Sequence, residues 1–127
     1  MFEQDYIMIQ IKQIIEVAMK MFFNIDIATP ATMMIQDQDK RDKSDKLILE
    51  IDGNNIRNAI ADFKSVTSDK TKDDLLIGFY FFTKLCALDE EILNANNITY
   101  SEIQDEMRMF LAQYGIGEQI FNLIFMQ

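Results

Sequence analysis

Apolar residues recur every three or four positions along most of this chain, and that period buries a continuous face only when the backbone is helical. Between residues 5 and 24, Ile7, Ile11, Ile14, Ile15, Ala18 and Phe22 fall on one side of a helix, opposite Gln10, Lys12, Gln13, Glu16 and Lys20. Met8, Val17, Met19 and Met21 widen the apolar arc past half of the circumference, so this helix is expected to have neighbours on more than one side. Ile9 breaks the pattern, because it falls inside the polar arc, between Gln13 and Glu16.

The period then fades. Residues 25–46 run through Ala-Thr-Pro-Ala-Thr into Gln-Asp-Gln-Asp-Lys-Arg-Asp-Lys-Ser-Asp, charges of both signs with no apolar interval, and are expected to form a mobile connector. Pro30 disfavours helix at Thr29, while Met33, Met34 and Ile35 offer a place for the connector to dock on the core. A short helix over 46–51, closed by Asp52-Gly53, and a second over 54–67 with Ile56, Ala59, Ile60, Phe63 and Val66 on one face read as a helical hairpin.

Ser68-Asp69-Lys70-Thr71 supplies a break and a cap before 75–88, a stretch apolar nearly all round that carries Phe79, Tyr80, Phe81 and Phe82. It is longer than a usual strand and has no period of two, so it is predicted to be the central helix. Asp89-Glu90-Glu91 can start a further short turn, which Asn94 to Asn97 would end. Thr99 and Glu102 have the spacing of a capping box, flanked by Ile98 and Ile103 as a hydrophobic staple, which predicts a helix from Tyr100. Ile103, Met107, Phe110, Leu111 and Tyr114 form its stripe, and Gly115 is placed to end it. A last helix over 118–126 has Ile120, Phe121, Leu123, Ile124 and Phe125 over most of its surface. The expected architecture is therefore all-α, with five or six helices in antiparallel hairpins and a hint of tetratricopeptide-like stacking that lacks that motif's repeat near 34 residues.

At 127 residues and 49% hydrophobic composition, one domain with a sizeable core is expected to take in the whole chain. The formal charge of -9 opposes binding to nucleic-acid backbones and to anionic lipid, since both are held by lysine and arginine. One cysteine, Cys86, in an apolar run fits a small buried hydrophobe in a reducing compartment, and the acidic opening Met1-Phe2-Glu3-Gln4-Asp5 is unlike a signal peptide. A cytoplasmic protein is expected.

The segment Asp5-Tyr6-Ile7-Met8-Ile9-Gln10-Ile11 resembles the opening of a family of small helical bacterial proteins, mostly from Firmicutes, that carry a domain of unknown function. Its members commonly place arginine where this chain has Ile9. The resemblance implies a helical fold and transfers no site.

Candidate chemistry narrows by exclusion. There is no histidine, which removes the commonest general base and the usual zinc and iron ligand sets. Cys86 lies late in an apolar helix, away from anything that would make it a thiolate. Asp37, Asp39, Asp42 and Asp45 suggest calcium, yet counting from Asp37 puts Arg41 at the fifth ligand and Ile48 at the bidentate glutamate. Asp89, Glu90, Glu91 and Glu102, Asp105, Glu106 stand where acids complement helix dipoles, and the four glycines are too scattered for a phosphate loop. No catalytic residue, cofactor or metal is assigned.

The favoured reading is a non-catalytic module that binds another protein or itself as a dimer, with Ile9, Phe121, Ile124 and Phe125 as the candidate interface. A small enzyme using carboxylates or tyrosines is one alternative. A peripheral membrane protein held by its first amphipathic helix is the other. Nine methionines, Met19, Met21, Met33 and Met34 among them, also have the flexibility to line an adaptable groove.

Overall fold

A computed structural model describes the backbone over residues 2–23 and 35–115, and side chains over 6, 8–20 and 35–115. Among the described residues there are six helices and no strand: α1 (Phe2–Phe23), α2 (Gln38–Asp52), α3 (Ile56–Val66), α4 (Lys72–Cys86), α5 (Glu90–Ala95) and α6 (Tyr100–Ala112). The helix expected over 118–126 and the part of the connector over 25–34 lie outside them.

α4 is central because its sequence is apolar on almost every side. Leu75, Leu76, Ile77, Phe79, Phe81, Phe82, Leu85 and Cys86 are all buried, and α1, α2 and α6 each pack directly on it. Its start follows from a complete capping box: Thr71 Oγ1 accepts the Asp74 N–H at 3.1 Å, and an Asp74 carboxylate oxygen accepts the Thr71 N–H at 3.3 Å. α3 joins this core through Phe63, whose ring stacks on Phe81 at 4.3 Å between centroids and meets Phe82 and Phe110 at 5.3 and 5.0 Å. Each such side chain contributes roughly 1.5–3 kcal/mol through burial, with about 0.5–1.5 kcal/mol more from each aromatic pair.

α2 and α3 form the expected hairpin, and its turn passes through Asn54 at φ 63°, a left-handed conformation that asparagine tolerates. Asn55 makes no side-chain cap. The Ile56 N–H is accepted instead by Asn96 Oδ1 at 3.3 Å, and the Arg57 guanidinium donates to the carbonyls of Asn96 and Asn97, which docks the start of α3 on the junction between α5 and α6.

One expectation needs correction. Residues 38–46, read as part of the connector, form the first turns of α2, so that helix begins eight residues before the expected start at Lys46. Asp37 is its N-cap and accepts the Asp39 N–H at 2.9 Å. The Asp73 carboxylate accepts the N–H groups of Gln36 and Asp37, each at 3.1 Å, and thereby ties the entry of α2 to the first turn of α4. Alternating charge hid this helix because its early turns bury almost nothing apolar: Ser44 is the buried residue there, and Leu47 and Ile51 follow later.

Candidate interaction surface

α1 lies on α4 and α6, and the face that meets them is Ile11, Ile14, Ile15, Ala18 and Met19, all buried. Gln10 is buried on the α6 side, where its side-chain carbonyl accepts from Gln104 Nε2 at 3.3 Å. The opposite face points away from both neighbours. On it Ile9 is 51% exposed, as its place in the polar arc predicts, and Tyr6 and Val17 are 56% and 38% exposed. Val17 is a departure from the sequence reading, which placed it inside the apolar arc; it sits just past the edge of the buried face.

Tyr6, Ile9 and Val17 thus line one side of a helix with Gln13 and Lys20 between and beyond them, and Lys12 and Glu16 along the rim. Leu49 is more exposed still, at 70%, but Asp45, Lys46 and Asp52 surround it at helical spacing and it makes no stripe. Among the described methionines, Met19 is buried rather than part of a groove and Met109 is exposed, while Met21, Met33 and Met34 lie outside the described side chains. Met109 overhangs a cleft of about 240 Å³ between α3 and α6, floored by Phe63 and Phe110 and bridged by the Lys64–Glu106 ion pair at 3.2 Å.

The titratable groups sort into structural roles. Burial pushes the Cys86 thiol up to about 12, so it stays a protonated core thiol. Burial likewise raises the Tyr114 phenol, with the nearby Asp74 carboxylate adding to the effect. Asp39 pairs with Lys43 at 3.0 Å and Asp42 accepts from Gln38 at 2.8 Å, contacts of a helix surface. Glu102 faces Arg57 at 3.4 Å.

Two charge pairs escaped the sequence reading. Asp74, fully buried, pairs with Lys40 Nζ at 2.9 Å, and the same ammonium reaches Asp69 at 3.1 Å and the Val66 carbonyl at 2.7 Å. Burial works to lower the Lys40 pKa, yet the two carboxylates outweigh it and hold the ammonium above its usual range. Glu50 on α2 is raised above the usual carboxylate range, first by burial and then by the Asp62 carboxyl of α3, against a lowering effect of Lys46. Neither pair has a local sequence signal, since each joins residues that only the tertiary fold brings together.

Residues 1–115 match the model of a family of unknown function, DUF6483. The chain belongs to this family. DUF6483 therefore takes in every described helix, with the α1 face inside it, while Phe121, Ile124 and Phe125 lie beyond the matched stretch and outside the described residues. No curated protein and no solved structure matches the chain. Among the described residues, no helix is long and apolar enough to cross a membrane.

Proposed function

We propose that this chain is a non-catalytic interaction module of the cytoplasm that binds a protein partner, another protein or a copy of itself, through the outward face of α1. The observation that carries the reading is the run of Tyr6, Ile9 and Val17 exposed on one face of a helix whose other face is embedded in the core. An isolated exposed apolar residue needs no explanation, whereas three aligned on a rigid helix form a patch that water solvates poorly and a partner can cover. The chemical inventory supports the same reading: the thiol is protonated and buried, and most of the paired carboxylates bind cations or backbone amides of the fold itself.

The test is a photoreactive phenylalanine analogue placed at position 9 in the full chain, in cells. A defined protein adduct is expected from position 9, lost when Val17→Arg is added, and absent when the analogue is placed at the exposed but solitary position 49. Equal labelling from positions 9 and 49, or none from either, would overturn the reading.

A further inference from the structure

We propose that the partner of the α1 face is a second copy of the same face, the two helices running antiparallel about a two-fold axis at Gln13. This rests on the reading of α1 as an interaction surface and adds the identity and geometry of what covers it. Five of the exposed positions on α1, Tyr6, Ile9, Gln13, Val17 and Lys20, are separated by three, four, four and three residues, with exposed Lys12 and Glu16 to one side of them. That interval is the same read in either direction. Reversing the helix about Gln13 therefore maps these five positions onto themselves, which gives a two-fold contact a self-complementary seam.

The residues brought opposite one another are complementary. Ile9 meets Val17 of the second copy twice, forming an apolar seam on either side of the axis. Tyr6 meets the second copy's Lys20, an ammonium against an aromatic ring. Gln13 meets its own counterpart, and two carboxamides can each donate and accept, so a polar pair in an apolar seam sets the register. Along the rim, Lys12 lies about 3 Å along the axis from Glu16 of the second copy, at roughly 1.5 Å of rise per residue.

Charge favours this face over the rest of the molecule. The chain carries a net -9, so most surfaces of two copies repel, whereas among the described side chains on the outward face of α1 Lys12 and Lys20 stand with one acid, Glu16. From Tyr6 to Lys20 the seam is only about 21 Å long. A single helix face of that length sits at the small end of specific interfaces, which gives a dimer that exchanges with monomer in roughly the micromolar range.

Sedimentation over a concentration series, joined to cysteine cross-linking under mild oxidation, tests both the pairing and its direction. All substituted positions are exposed, so the variants are expected to keep the wild-type circular dichroism, and native Cys86 is buried and stays out of the reaction. Expected results are a concentration-dependent dimer, its loss in Ile9→Arg, and a cross-link when Ile9→Cys is mixed with Val17→Cys. Self-linking of Ile9→Cys in preference to that mixed product would overturn the antiparallel arrangement. A wild-type monomer at every concentration would overturn self-pairing while leaving the α1 surface to its own photo-cross-linking test. A dimer indifferent to Ile9→Arg would place the contact elsewhere and overturn this pairing, again leaving the α1 surface to the photo-cross-linking test.

Discussion

At Gly78, α4 packs directly against the Phe110 ring of α6. A Cβ built there would overlap the Phe110 ring, and that ring has no room to swing because Phe63, Phe82 and Tyr114 hold it at centroid distances of 5.0, 5.9 and 5.1 Å. Alanine would gain about 1 kcal/mol of helix propensity over glycine. Overpacking a filled core costs about 1–3 kcal/mol, and direct overlap with a confined ring belongs at the upper end. Gly78→Ala is therefore expected to lose about 1–2 kcal/mol net in a denaturant titration, and a gain would show that the aromatic cluster yields. Thr99 works through a smaller effect: its hydroxyl accepts the Glu102 N–H at 3.2 Å, and Thr99→Ala should lower stability by about 1 kcal/mol. Glu102 does not complete the box as the spacing suggests, since its carboxylate faces Arg57. With that pair about half exposed, Glu102→Ala should cost less than Thr99→Ala.

At the scale of elements, legibility follows from where each helix gets its stability. α4 and α6 were legible because capping residues and an apolar period are local: Thr99 placed the start of α6 at Tyr100, and Gly115, at φ 76°, follows its end. The early turns of α2 were not, because they are held by distant groups, the Asp73 carboxylate on the backbone and the Lys40–Asp74 pair across to α4. On the surface, Ile9 was visible as an apolar residue in a polar arc, whereas Val17 lay too near the boundary between the two faces for periodicity to place it. The dependence of α2 on α4 can be measured. Lys40→Met leaves Asp74 buried with the Thr71 N–H but without its cation, and removing one member of a buried pair costs about 3–5 kcal/mol. A loss near 3 kcal/mol is expected, with the amides of α2 exchanging faster than those of α6. A change under about 1 kcal/mol would mean that water reaches Asp74 readily.

For the whole molecule, net charge and the Glu50–Asp62 contact act in the same direction with pH. A chain at -9 repels itself when compact, so taking up protons below neutrality relieves that repulsion. Glu50 adds a specific contribution: its folded pKa is raised by burial and by Asp62. A raised folded value means that the folded state holds its proton more tightly than the unfolded chain does. The associated stability is complete below the ordinary glutamate range and is lost as pH rises through the elevated folded value. Stability should accordingly rise as pH falls from neutral toward the upper carboxylate range. Glu50→Gln carries no charge at any pH and can donate its amide to Asp62, imitating the protonated state. It is expected to raise the unfolding free energy at neutral pH by no more than about 1 kcal/mol, the scale of a partly solvated pair, and to flatten the rise between neutral pH and the upper carboxylate range. Identical pH profiles for wild type and Glu50→Gln would show that the repulsion between α2 and α3 is relieved by solvent, leaving the distributed charge as the source of any pH dependence.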